Sequence, residues 1–386
     1  MRRTRYIHIM IAVLALATMV SCREDDVIFI PEEVPVSIPE YTSIDGFYLL
    51  NEGNMGSNKC TLDYYDYSTG VYTRNIYGNA NPSVPKELGD VGNDIDIYGS
   101  RLYAVVNCSN KVEVMDVATT RRIGQIDIPN CRYIKFHDGY AYVTSYAGPV
   151  EINPDYEQLG YVAKVDTATL EVVDRCIVGF QPDELDIADG KIFVANSGGY
   201  MVPNYENTVS VIDIATFREV ERIEVAINLH RVICDSRGQL WISSRGDYYE
   251  EESKLYCYDI RKRRMVAELD VPVSSMHLDG DSLYIVSVGW SYITMQNEVT
   301  YAIVDTRSHE KVCDNFITDG TDKDIKIPYG VAVNPITKDI YVTDARNYVN
   351  PGYLYCFGSD GVQKWKVRTG DIPAHFIFVG NNINEQ

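Results

Sequence analysis

Aspartates recur at positions 66, 116, 166, 213, 259 and 305, at intervals of 50, 50, 47, 46 and 46 residues. Each closes a short run of β-branched and aromatic residues: 62–66, 112–116, 162–166, 209–213, 255–259 and 301–305. Before most of them stands a small polar turn and a strand carrying an aromatic, as in Gly99-Ser-Arg-Leu-Tyr103, Asp138-Gly-Tyr-Ala-Tyr142, Asp189-Gly-Lys-Ile-Phe193 and Arg237-Gly-Gln-Leu-Trp241. After each comes a turn and one more strand. Four strands at this period describe a β-propeller blade. Divergent copies at the two ends, 47–51 with 62–66 and 353–358 with Gly358 in place of the Asp, bring the count to seven. No convincing run of helical periodicity interrupts the pattern. The expected fold is all-β, a seven-bladed propeller over residues 46–379. A pair of β-sandwiches would leave the count of seven repeats unexplained.

The termini indicate how the ring shuts. Each blade begins with an inner strand, yet none precedes Phe47. Residues 372–379 fit that pattern, so the C-terminal strand is expected to complete the first blade and remove an exposed sheet edge. In such a ring the loops between second and third strands share one face. Here they are the long ones: 51–59, 107–111, 145–160, 196–207, 244–253, 287–298 and 344–351. Long loops on a rigid scaffold are where binding residues concentrate.

Those loops carry aromatics (Tyr146, Tyr200, Tyr205, Tyr248, Trp290, Tyr292 and Tyr348) beside hydrogen-bonding side chains (Asn51, Glu52, Asn54, Asn107, Asn196, Arg245, Asp344 and Arg346). Tyr, at 30 residues against 10 Phe and 3 Trp, supplies flat apolar area with a polar tip. The set suits a large flat ligand bearing amides or hydroxyls, and suits a phosphate-rich one poorly. Aligned by repeat, the first inner-strand residues read Asp94, Tyr133, Glu184, His230, Ser275, Gly330 and His375, a ring bordering the central channel from which His230 and His375 could touch a ligand. No close-spaced ligand pair supports a metal there.

Nothing local argues for an enzyme or a resident cofactor. There is no Gly-x-Ser-x-Gly elbow, no phosphate-binding Gly-rich loop and no His-Glu-x-x-His. The cysteines after residue 22 form no Cys-x-x-Cys pair. Cys257 and Cys356 occupy matching third-strand positions, as buried small residues do. Cys108 and Cys131 are a possible disulfide that the spacing does not demand.

Arg2, Arg3 and Arg5 precede an apolar run over 7–20 that is too short to span a bilayer, the form of a secretory signal. Thr18-Met19-Val20-Ser21-Cys22 resembles a bacterial lipobox, which implies cleavage of residues 1–21 and lipidation of Cys22. Residues 22–45, acidic and interrupted by Pro31, Pro35 and Pro39, read as an extended tether; 380–386 are a tail. Removing the signal takes away three arginines and no acid, moving the formal charge from −20 to −23. Binding nucleic acid needs a basic face to neutralise phosphates, which this composition does not favour.

The blade pattern resembles the YncE-like propellers. Asn51-Glu-Gly-Asn54, Glu87-Leu-Gly-Asp-Val-Gly-Asn-Asp94, Asn196-Ser-Gly-Gly-Tyr200, Ser244-Arg-Gly-Asp-Tyr248 and Thr369-Gly-Asp-Ile-Pro-Ala-His375, with the lipobox and the acidic Arg23-Glu24-Asp25-Asp26, resemble the BtuG group of Bacteroidota surface lipoproteins. That resemblance implies a non-catalytic protein anchored in the outer membrane and facing outward. It would capture cobalamin or a related corrinoid and pass it to a TonB-dependent outer-membrane transporter. The alternative is a non-catalytic surface propeller that binds a glycan or a protein partner through the same loops.

Overall fold

The computed structural model describes residues 31–40, 42–84, 87–291 and 296–380. They form seven antiparallel sheets in a ring, six of four strands and one of five. Blade 1 joins Pro373–Gly380, Ile44–Asn51, Thr61–Asp66 and Val71–Arg74 from the channel outward. The inner strands of blades 2 to 7 are Gly92–Tyr98, Cys131–His137, Pro182–Ala188, Leu229–Cys234, Ser275–Asp279 and Pro328–Val333.

The repeated residues have identifiable jobs. The recurrent Asp ends the third strand and accepts the turn amides that follow: Asp116 from Thr119 at 3.0 Å, Asp166 from Ala168 at 2.8 Å, Asp213 from Thr216 at 2.9 Å and Asp305 from Arg307 at 2.8 Å. Such Asx turns satisfy amides that the sheet leaves unpaired. Asp138-Gly139 and Asp189-Gly190 turn between first and second strands with φ of 46° and 80°, and of 47° and 72°. Two successive positive φ values define the hairpin turn whose twist matches the strands, which is why Gly sits second. In blades 5 and 7 the second-strand aromatic lies across from a cysteine, Trp241 opposite Cys257 and Tyr341 opposite Cys356, and all four are buried.

Packing follows the ring. The apolar clusters run between neighbouring blades, as where Phe47 and Phe378 of blade 1 meet Tyr341 and Trp365 of blade 7. The expected closure is present: Ile44–Asn51 pairs with Pro373–Gly380, setting Phe47 opposite Phe378. Thr343 of blade 7 locks the seam, accepting the Gly330 amide at 2.7 Å and donating to the Pro373 carbonyl at 2.6 Å.

Two stretches differ from the sequence reading. Glu32–Pro35, inside the expected tether, pairs with Val71–Arg74 as a fifth strand on the outer edge of blade 1, and Arg74 holds Glu32 at 2.7 Å. Extended Pro-interrupted backbone is suited to such an edge. The segment read as a loop over 287–298 is mostly hairpin: Ser282–Ser291 and Gln296–Asp305 form a ten-residue ladder in which Trp290 faces Asn297. Alternating Val286, Val288 and Trp290 extend the strand past the rim of the blade.

Candidate ligand-binding face

The registers fix what lines the channel mouth. The buried residues Ile95, Ile134, Leu185, Val232 and Val331 each pair with the second-strand residue after its aromatic or Trp. The residue before each is therefore equivalent: Asp94, Tyr133, Glu184, Arg231 and Gly330, with Ser275 and His375 completing the ring. Arg231 takes the place the sequence alignment gave to His230, since it is Val232 that pairs with Ile242, the residue after Trp241. His230 belongs one step nearer the mouth, level with Arg132, Asp183 and Tyr329. Gly330 is not a lining group either: a Cβ there would fall 2.1 Å from the Ala374 carbonyl oxygen, so blades 7 and 1 meet at this point.

Asp183 is the hub of the mouth. Its carboxylate is fully buried and accepts the Tyr146 hydroxyl at 2.6 Å, the Arg245 guanidinium at 2.8 Å and Arg132 Nε at 3.4 Å. These partners come from blades 3 and 5 on either side of blade 4. Arg132 also stacks 4.7 Å from the centre of the Tyr146 ring, and Tyr200 meets that ring edge-on at 6.4 Å. Tyr133 reaches His230 Nε2 at 3.1 Å, and Arg231 lies over the Tyr133 ring. Burial, then Arg245, Arg231, Arg132 and His375, hold the His230 imidazole well below its usual pKa. It is neutral at pH 7.

Across the mouth Glu52 plays a similar part. It accepts from the Tyr329 hydroxyl at 2.9 Å and meets His375 Nε2 at 3.0 Å, while Tyr348 packs on the Tyr329 ring at 5.8 Å. The Asn54 side-chain amide donates to the Tyr348 carbonyl, tying the loops of blades 1 and 7. Burial and the Glu52 charge push the Tyr329 hydroxyl well up.

Below the mouth the inner strands carry Asp94, Asp96, Glu184 and Asp186. Three of these cap amides on the free inner edge of the next blade: Asp94 takes Ile134 at 2.9 Å, Glu184 takes Val232 at 2.9 Å and Asp186 takes Cys234 at 2.6 Å. An edge strand facing a channel has no backbone partner, so the carboxylates supply one. Lys135 stands among them, 3.9 Å from Asp96. Burial outweighs Lys135 and, with Asp94, lifts Asp96 to about 6. Among the described residues no cluster of His, Cys, Asp and Glu is arranged to hold a metal.

The structure thus gathers Glu52, Tyr146, Tyr200, His230, Arg245, Tyr348 and His375 of the expected set around one mouth. Asn51, Asn107, Asn196 and Asp344 are buried at the loop roots and brace hairpins instead. Asn51 binds Thr61, Asn196 binds Thr208 and Ser210, Asn107 binds the Cys131 carbonyl, and Asp344 accepts the Ile327 and Arg346 amides. Arg346 lies over Tyr353 of its own blade. Tyr205 sits beside Tyr248 and Asp247 of the next loop, while Tyr248 and Trp290 stand out on the rim, each more than half exposed. Tyr292 and Cys22 lie outside the described residues. All eight described cysteines are free, Cys108 and Cys131 included. The sequence reading missed Arg132, Asp183, Arg231 and Tyr329. Only a repeat alignment anchored on the buried residue after them would have exposed these positions.

A family model described as a domain of unknown function, DUF5074, matches residues 45–378, the whole ring. The chain belongs to the DUF5074 family. No curated protein matches its sequence. Among solved structures, the DUF5074 ring is similar to a hypothetical selenium-binding protein from Sulfolobus tokodaii, at 10% identity and a TM-score of 0.62, over 89% of this chain and 95% of that one. A quinonprotein alcohol dehydrogenase-like protein from Bacteroides thetaiotaomicron aligns at 13% identity and a TM-score of 0.57, over 88% and 79%. Hydrazine synthase from Kuenenia stuttgartiensis aligns at 17% and 0.55, over 70% and 77%. At these identities the DUF5074 chain shares their propeller fold and nothing narrower.

Proposed function

We propose that this propeller is a binding protein that captures cobalamin or a related corrinoid on its long-loop face and passes it to a TonB-dependent outer-membrane transporter. The observation that carries the reading is the convergence at one mouth of Tyr200, Tyr329 and Tyr348, beside the buried Tyr146, with charged and hydrogen-bonding groups, on loops and inner-strand ends of blades 1, 3, 4, 5 and 7. A corrinoid is broad, flat-faced and fringed with amides. Such a ligand needs aromatic area and mixed donors and acceptors over a wide surface, and no reacting group. Its delivery fits a lipid anchor on Cys22 in the outer membrane, with the acidic segment after it marking export to the surface.

A second feature supports the transporter. Met55, Ile152, Tyr248, Tyr249 and Trp290 stand exposed at the tips of the loops around the mouth. Apolar tips that encircle a polar opening suit a protein partner covering the same face.

Calorimetric titration of residues 23–386 with cyanocobalamin tests the proposal. One-to-one binding, weakened about tenfold or more by Tyr200→Ala, is the expected result. Absence of heat at high micromolar protein would remove the corrinoid and direct the search to glycans.

A further inference from the structure

Among the described residues every carboxylate at the mouth has a donor on each oxygen or a guanidinium beside it, whereas most guanidinium N–H groups there have no protein acceptor. Asp183 gives one oxygen to Tyr146 and Arg132 and the other to Arg245. Glu184 gives one oxygen to the Val232 amide and lies 3.6 Å from Arg231 with the other. Asp94 accepts the Ile95 and Ile134 amides. Each guanidinium offers five N–H donors. Among the described residues Arg132 and Arg245 each place a single nitrogen on Asp183, and Arg231 adds only a 3.3 Å contact to the Ser274 carbonyl. What is in surplus is directed N–H, not net charge.

A second observation points the same way. His230 is 8% exposed, and among the described residues its Nδ1 has no partner while Nε2 is held by Tyr133. A buried ring nitrogen without a partner costs free energy that an incoming group can recover. The three arginine side chains retain 13–26% exposure, so solvent and solutes reach them. The carboxylates deeper in the channel would stop an anion from passing further down.

We infer that the mouth contains a subsite for one oxyanion, a carboxylate or a phosphate group, seated by Arg132, Arg231 and Arg245 beside His230. The inference deepens the binding reading above and rests on it: the captured molecule presents a single anionic group to the channel and lays its flat body on the surrounding tyrosines. Guanidinium forks are matched to such planar or tetrahedral oxygen sets. One oxyanion among aromatics differs from the phosphate-rich ligand that the loop composition disfavours.

The test titrates acetate and, separately, inorganic phosphate into the full propeller in oxyanion-free buffer at constant ionic strength, following the arginine Nε–H signals by NMR. Saturable shifts of the three mouth arginines with at least one probe are expected, and which probe saturates separates carboxylate from phosphate recognition. Arg231→Gln and Arg245→Gln should each weaken that binding about tenfold or more, with Lys254→Gln, whose lysine pairs with Glu268 and Asp270, as an unaffected control. Linear, non-saturating shifts in the wild type, or unchanged affinity in a folded arginine variant, would overturn the subsite. Phosphate or acetate binding without cyanocobalamin binding keeps the subsite and removes the corrinoid. Cyanocobalamin binding of equal strength in wild type and Arg231→Gln keeps the face and removes the subsite.

Discussion

The Tyr133 hydroxyl lies 3.1 Å from His230 Nε2, a contact from blade 3 to blade 5 that passes over the blade between them. Such a bond is possible only where the ring converges, at the mouth of the channel. It gives the neutral His230 its one hydrogen-bond partner among the described residues and holds the Arg132 and Arg231 side of the mouth together.

Removing that hydroxyl leaves both ring nitrogens of His230 buried and unpaired. Tyr133→Phe is expected to destabilise the fold by about 1–2 kcal/mol, the usual cost of an orphaned buried polar group. Urea denaturation of the two proteins measures it, with equal m-values required for a fair comparison.

Asp183 should matter far more than any of its partners. Its carboxylate is fully buried and compensates two guanidiniums, so Asp183→Asn leaves uncompensated charge in a confined space; a loss of about 3 kcal/mol or more is expected. Arg245→Gln removes a group in contact with water and should cost about 1 kcal/mol. Equal midpoints for these two variants in denaturant would contradict the hub role.

Asp96 predicts a pH dependence with a definite sign. Its folded pKa is about 6, above the unfolded value near 3.9, so between these values the native state binds more protons than the unfolded chain. The stabilisation is complete below about pH 4 and is lost as pH rises through 6. Relative to Asp96→Asn, the wild type should therefore be roughly 2 kcal/mol better off at pH 4 than at pH 7.5. Comparing wild type and variant at each pH cancels His277, whose imidazole is lowered to about 4, chiefly by burial, and which acts with the opposite sign in the same window.

Closure of the ring is open to a single methyl group. Gly330→Ala would drive a Cβ against the Ala374 carbonyl at 2.1 Å, where backbone meets backbone across the seam. A loss of about 1–3 kcal/mol is expected, with faster amide exchange in Pro373–Gly380. Unchanged exchange in that strand would show that the seam can yield at no cost.

The repeat could be read without a structure because each element of it answers a local need. The strand-ending Asp caps the next turn, Asp-Gly sets hairpin twist, and Cys257 and Cys356 leave room for the aromatics opposite. These depend on residues a few positions apart or at one repeat spacing, and they determined seven blades and the closing strand Pro373–Gly380. The mouth is a different case. Asp183 acts on residues 37 and 62 positions away, and Glu52 meets Tyr329 and His375 from the opposite end of the chain. In blade 5 the ring position goes to Arg231 and not His230, because Val232 is the residue that pairs across from Ile242. Asn51 and Asn196 look like loop ligands in sequence, yet lie buried beneath the loops. Local chemistry fixes turns and strands; the ring alone decides which polar groups converge, because closure brings together side chains that no sequence interval relates.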